Sequence, residues 1–190
     1  MRHVGVIDIG KTNAKVAVVD LSSRAEIAVE TKPNTALQGP PWPHFDTEGL
    51  WDFAIRSLKH LHSRHGIEGL AVTTHGACAA LLTATGDLAA PVLDYEHCGP
   101  DDARAAYDAI RPPFAETGSP GLPVGLNIGA QLFWQFAQDP TLRGRTAQIV
   151  TVAGHTGTVE PAFSDIPGDI TIDGTAHWAS LGTQSPTEGA

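Results

Sequence analysis

Two β-branched runs open the chain, residues 4–9 and 16–19, and the segment between them holds Gly10, Lys11, Thr12, Asn13, Ala14 and Lys15. This is the composition of a tight turn between two strands and predicts a hairpin. Residues 25–31 alternate enough to give a third, partly exposed strand, completing a meander. Residues 32–45 carry Pro33, Pro40, Pro41 and Pro43, which predicts an extended loop without regular structure. From that loop Trp42, Pro43 and His44 either reach a ligand or plug the loop onto the core. Asp46, Thr47 and Glu48 supply a helix start, and Leu50, Trp51, Phe53, Ala54, Leu58 and Leu61 recur at helical spacing until Gly66 stops the run. His60, His62 and His65 near its end lack an acid or cysteine to complete a metal set, and read as a solvated last turn that suits the helix dipole.

A further strand is predicted over 67–74, ending in His75, Gly76 and Ala77, followed by a short strand over 79–83 and an extended segment over 91–96. Pro100, Asp101 and Asp102 start a helix that runs through Ile110 to Pro112 and Pro113. A turn-rich connector then leads to a helix after Asn127, and residues 147–152 form a last apolar run. Polar residues thus gather at the ends of predicted strands.

Composition narrows the class. The chain has 190 residues, enough for one well-cored domain, and a formal net charge of −9, which argues against general nucleic-acid binding. No stretch reaches membrane-span length, and the two cysteines, Cys78 and Cys98, form no C-x-x-C pair, so an acidic cytoplasmic protein with free thiols is the expectation.

The first turn carries the chemistry. Gly5-x-x-x-x-Gly10-Lys11-Thr12 formally matches a P-loop, but that motif needs a loose anion nest followed by a helix. Here Val6, Ile7, Asp8 and Ile9 read as strand interior and residues 16–20 as a second strand, so the hairpin is preferred. An Asp at the end of a buried strand can hold a hydrated Mg²⁺, while the Gly10 to Asn13 backbone and the Thr12 and Asn13 side chains can bond phosphate oxygens, with Lys11 or Lys15 adding charge. The plainer reading is an ordinary hairpin with Asp8 as a turn acid. Against it, a carboxylate amid an apolar run needs a partner or an ion.

Asp8-Ile9-Gly10-Lys11-Thr12-Asn13-Ala14-Lys15 resembles the first phosphate motif of the actin-like, sugar-kinase and heat-shock ATPase superfamily, and more particularly of the FGGY carbohydrate kinases. Lys15 stands where many members carry Arg. His75-Gly76 resembles the family's sugar-pocket pair, and Asp94-Tyr95-Glu96 replaces its more usual Trp-containing acidic pattern. Thr117-Gly118-Ser119-Pro120 and the helix ending in Leu132-Phe133-Trp134 resemble later family segments, with Asn127 either facing the sugar or capping the helix.

The resemblance covers residues 1–150 and implies an α/β fold of ribonuclease H-like (actin-like ATPase) type, a mixed sheet flanked by helices, with the second domain missing. It implies ATP-dependent phosphorylation of a sugar or polyol hydroxyl, with ATP and Mg²⁺ as cofactors. Asp8, Gly10, Lys11, Thr12, Asn13 and Lys15 would bind the nucleotide phosphates, Asp8 would hold the metal, and His75, Gly76, Asp94 and Glu96 would bind the substrate. The catalytic base is not identified: Asp165, Asp169 and Asp173 do not fit the family pattern. Residues 151–190 contain no Lys or Arg and five acids, so this atypical acidic tail is expected to be truncated, frame-shifted or loosely folded. An incomplete, inactive kinase portion is therefore expected. A non-catalytic sugar-binding module or scaffold is the alternative, with a P-loop NTPase third. If a second domain normally covers one face, the chain would leave apolar surface exposed and form a homodimer or aggregate.

Overall fold

The computed structural model of this chain describes residues 2–151, 170–173 and 176–179. The chain divides into two units, Met1–Thr151 and Val152–Ala190. The first unit begins with β1 (His3–Ile9), β2 (Asn13–Asp20) and β3 (Ala25–Pro33), then α1 (Thr47–His65) and β4 (Gly69–Thr74). It continues with β5 (Ala79–Leu82), the short helices α2 (Gly99–Asp102), α3 (Arg104–Asp108) and α4 (Phe114–Thr117), then α5 (Ile128–Gln138), α6 (Leu142–Arg145) and β6 (Gln148–Thr151).

The four-stranded sheet runs in the order β3-β2-β1-β4. β1 pairs antiparallel with β2 and parallel with β4, so the sheet is mixed. The period-two pattern of β2 sends Ala14, Val16 and Val18 to one face, where they are fully buried against Phe53, Ala54 and Leu61 of α1. α1 is placed by its ends. The Asp46 carboxylate accepts from the Gly49 amide at 2.9 Å, and Gly66 closes the last turn with a left-handed φ of 68°. The segment after the first hairpin is strand and not helix, because residues 13–20 pair on both sides, with β1 and with β3. This overturns the P-loop alternative.

A second core forms around Trp42, Leu81, Leu93, Trp134 and Leu142, where β5 pairs antiparallel with β6. Trp42 plugs the proline-rich loop onto this core, 4% exposed, with its indole N–H donating to the Pro91 carbonyl at 3.1 Å. That loop is more ordered than its prolines suggest: Lys32 and Pro33 still belong to β3, and His44 bridges both Leu37 and Leu93. The helix expected from Pro100 to Ile110 is instead two short pieces, broken at Ala103, where the backbone leaves helical geometry. Among the histidines of α1, His60 pairs with Glu30 at 2.5 Å and His62 donates to the Ile67 carbonyl at 3.1 Å, so both tie the helix end to its neighbours.

In the second unit β7 (Ile170–Asp173) and β8 (Ala176–Ala179) pair antiparallel. The remainder of the acidic tail, with Asp165 and Asp169, lies outside the described residues.

Candidate functional site

Parallel pairing of β1 with β4 brings two strand ends side by side, and polar groups converge beyond carboxyl ends in such sheets. At the end of β1, Asp8 stands opposite Lys15 on β2 and Thr73 on β4. It is half-buried, and its carboxylate has no side-chain partner among the described residues. The turn is closed by the Gly10 amide donating to the Asn13 carbonyl at 2.9 Å. A Cβ at Gly10 would stand 3.0 Å from that carbonyl, so any other residue would make the Asn13 carbonyl give way by a few tenths of an ångström. Thr12 and Asn13 are exposed at the tip, where the Asn13 amide donates to the Thr12 hydroxyl at 3.2 Å.

Asn34 is a member that the sequence pattern does not reveal. It is 6% exposed, receives the turn from the side through its backbone amide to the Thr12 carbonyl at 2.9 Å, and donates its side-chain amide to the Gly10 carbonyl at 2.8 Å. Its Oδ1 is buried without a hydrogen-bond partner. The signal was weak because Asn34 lies at the head of a proline-rich loop and acts on residues more than twenty positions earlier.

Beyond β4, His75 is anchored by its amide donating to the Ile9 carbonyl at 3.3 Å, and Thr74 Oγ1 donates to the same carbonyl at 3.2 Å. The imidazole of His75 packs against Phe45 at 5.1 Å and Tyr95 at 5.2 Å between ring centroids. Its Nδ1 faces Cys78 Sγ at 3.3 Å, while Nε2 is buried and unpartnered. Burial pulls the His75 imidazole below the ordinary histidine range, with the Lys11 charge acting in the same direction. Burial likewise pushes the Cys78 thiol up to about 12, which leaves it an inert thiol.

The 94–96 segment completes the cluster. Asp94 is fixed by its amide donating to Pro43 O at 2.9 Å, and it approaches from the same side as Phe45, whose amide donates to Val92 O at 2.9 Å. Lys11 crosses from the hairpin to place Nζ 2.6 Å from Asp94 Oδ1 and 3.3 Å from Glu96 Oε2. The same ammonium lies 5.1 Å from the Phe45 ring centroid and 5.5 Å from that of Tyr95. Burial opposes its charge, but the Asp94 and Glu96 carboxylates outweigh that and raise it above the ordinary lysine value. Lys15, in contrast, pairs with Glu26 at 3.4 Å. Gly76 follows His75 in a segment held from below by Gln131, whose side-chain amide donates to the Ala77 carbonyl at 2.7 Å and to Gly125 O. Asn127 stands at the N-cap of α5 without a side-chain cap bond; its side chain instead receives the Leu122 amide at 2.8 Å and donates to the Pro120 carbonyl at 3.0 Å.

The donor set can be judged against a magnesium-bound nucleotide. Among the described residues no group of three His, Cys, Asp or Glu could cage a metal by itself. Mg²⁺ does not require one, since it keeps most of its waters and takes one or two carboxylates with substrate phosphates. Asp8, half-buried and unpartnered beside the turn, fits that use. The Lys11 and Thr12 amides have no protein acceptor among the described residues, so both remain available to an anion.

The buried His75 also ties stability to pH. Its folded pKa lies below the unfolded value of 6.5, so the unfolded chain binds the proton first. The stabilisation from burying a neutral ring is therefore complete above pH 6.5 and declines as pH falls from there toward the folded value. The difference in urea midpoint between pH 7.5 and pH 5 should shrink in His75→Asn; an unchanged difference would assign the acid sensitivity to other groups.

No family model and no curated protein matches the chain. Solved structures do. A carbohydrate kinase from Novosphingobium aromaticivorans is 35% identical with a TM-score of 0.71, over 79% of this chain and 31% of that one. A xylulose kinase from Rhodospirillum rubrum is 25% identical with a TM-score of 0.64, over 79% of this chain and 32% of that one. A gluconate kinase from Lactobacillus acidophilus, 15% identical with a TM-score of 0.58, over 78% of this chain and 31% of that one, shares the fold. The chain thus spans about a third of the length of these solved structures.

Proposed function

We propose that this chain, which fits the N-terminal domain of the FGGY carbohydrate kinases, supplies the phosphate hairpin and the substrate wall for ATP-dependent phosphorylation of a sugar or polyol hydroxyl. Residues 1–150 are taken as that domain, of ribonuclease H-like type, and 151–190 as a separate acidic segment. The observation that carries the reading is the junction of the β1 turn with the end of β4. It brings an unpartnered carboxylate, Asp8, to the same strand ends as His75, while Lys11 of the turn reaches Asp94 and Glu96.

Each residue has a separate task. Asp8 would hold hydrated Mg²⁺, which when bound neutralises charge on the nucleotide phosphates. Gly10 lets the backbone approach the phosphates closely, and the Lys11 and Thr12 amides with the Thr12 and Asn13 side chains offer donors, with Lys15 contributing charge from β2. Asp94 and Glu96 accept hydrogen bonds from substrate hydroxyls. The His75 ring packs with Phe45 and Tyr95 as the apolar part of the wall, and Gly76 keeps the wall close. Such fixed contacts orient a hydroxyl for in-line attack, the main contribution a protein makes to phosphoryl transfer. None of these residues is assigned as the proton acceptor. A fragment that binds sugar without turnover is the second reading. The apolar face of β4, where Leu70 and Val72 are 61% and 69% exposed, favours a chain that pairs with further structure or with a second copy. No helix among the described residues is long and apolar enough to cross a membrane. The free thiols Cys78 and Cys98 support a reducing, cytoplasmic setting.

Calorimetric titration of the 190-residue chain with Mg·ADP, beside Asp8→Ala, tests the reading. Asp8→Ala should weaken Mg·ADP by more than the roughly 10–100-fold that loss of an outer-sphere metal partner costs. Equal affinity in both proteins would remove Asp8 from the site. Sugar-dependent release of ADP from Mg·ATP would then separate a kinase from a binding module.

A further inference from the structure

The Lys11 side chain leaves a turn otherwise built for anions and ends among two carboxylates and two aromatic rings, 83 residues further along the chain. We infer that Lys11 belongs to the substrate wall and not to the phosphate hairpin: it is a positioning residue that holds Asp94 for a substrate hydroxyl and suits the pocket to an uncharged polyol or ketose over a sugar acid. This rests on the reading of the site as one that binds a sugar for phosphorylation.

Three features carry it. First, the ammonium is held too well to serve a phosphate at the turn. It makes charge-assisted contacts at 2.6 Å and 3.3 Å, lies against the Phe45 and Tyr95 rings, and its side chain is only 20% exposed. Moving to the turn would forfeit all four contacts. Second, the two oxygens of Asp94 are used differently. Oδ1 accepts from Lys11 Nζ at 2.6 Å and from the Glu96 amide at 3.1 Å, whereas Oδ2 has no hydrogen-bond partner among the described residues. The carboxylate is thereby locked by one oxygen and presents the other. A shorter or uncharged residue at position 11 could not span from the hairpin to this segment and hold that rotamer.

Third, the charges in the wall do not cancel. Asp94 and Glu96 are carboxylates, Lys11 is one ammonium, and burial keeps His75 neutral near pH 7. Tyr95 is a neutral phenol there, its pKa raised by burial and by Glu96. The wall therefore carries one net negative charge. A neutral polyol donates hydroxyls to it, whereas the carboxylate of an aldonic acid meets a like charge, most strongly at Asp94, whose side chain is 12% exposed.

The test uses the full 190-residue chain, its folding checked by circular dichroism, titrated separately with D-xylulose, glycerol, D-gluconate and Mg·ADP. The expected result in Lys11→Met is a loss of about tenfold or more in affinity for the neutral ligand that binds, the scale of one charge-assisted hydrogen bond, with Mg·ADP affinity unchanged. Lys11→Arg should recover most of the loss, since a guanidinium can reach both carboxylates. D-Gluconate should bind more weakly than either neutral ligand. In Lys11→Met the Tyr95 phenol should also titrate higher, because the cation beside its ring lowers it. If Lys11→Met instead weakens Mg·ADP and leaves the neutral ligand untouched, Lys11 is a phosphate ligand. The inference then falls while the kinase reading stands. Preference for D-gluconate, or an unmoved Tyr95 titration, overturns it as well. A folded chain that binds neither Mg·ADP nor any of the sugars overturns both together.

Discussion

Trp134→Ala should lower the unfolding free energy by about 3–5 kcal/mol, the range for removing a buried indole. Trp134 is 7% exposed in the cluster with Trp42, Leu81, Leu93 and Leu142, so its loss leaves a cavity that those side chains cannot close without moving β5, α5 and α6 together. It also meets Trp42 edge-on at 5.7 Å and His97 at 5.2 Å, contacts that add to simple burial. The indole lies directly against the Gly99 backbone, where a Cβ would overlap its ring. The ring therefore fixes the start of α2 as well as filling the core. Urea unfolding followed by far-ultraviolet circular dichroism would read the change as a shift in midpoint at constant slope. A loss below about 1 kcal/mol would mean that the cluster repacks and that the indole contributes little beyond its area.

Gln131→Leu should cost about 2–5 kcal/mol although it replaces an amide by an apolar group of similar size, because one buried and one part-buried carbonyl lose their donor. Gln131 is fully buried, and its amide nitrogen serves Ala77 O at 2.7 Å and Gly125 O together. Ala77 is two residues from His75, and Gly125 packs against Tyr95, where a Cβ would come within 2.9 Å of the Tyr95 Cα. The side chain thus sits beneath both halves of the candidate substrate wall. Loss of stability should be accompanied by chemical-shift changes at His75 and Tyr95 in a ¹H–¹³C aromatic spectrum. Stability lost with those rings unmoved would restrict Gln131 to a core role.

What could be read in advance was whatever rests on neighbours in sequence. The β1–β2 hairpin follows from alternating β-branched residues around Gly10, and the ends of α1 follow from Asp46 and Gly66, because a cap and a left-handed stop act within one turn. Features set by distant residues were not readable. The break at Ala103 is one: beside it Arg104 bonds both Asp101, at 3.2 Å, and Leu122 O, a partner eighteen residues away that the local pattern does not show. The ordering of the proline-rich loop is another, since it depends on Trp42 and His44 meeting residues 91 and 93. The site shows the same division. Asp8, Gly10, Thr12 and Asn13 are identifiable as a turn, and His75 as a strand end. The union of Lys11 with Asp94, and the bracing by Asn34 and Gln131, exist only once the strands have crossed.

That crossing also sets an order of assembly. The β1–β2 and β2–β3 ladders join residues close in sequence, while the β1–β4 ladder joins Ile9 to Thr74 across 65 positions. Contacts that close long loops form late, after local structure has lowered their entropic cost. On a growing chain the meander and α1 can therefore be present while the junction that brings His75 to the β1 turn is still missing. Binding at the proposed site would then require the last folding event and not the first, and a variant that weakens the β1–β4 pairing would lose that binding while the meander and α1 persist.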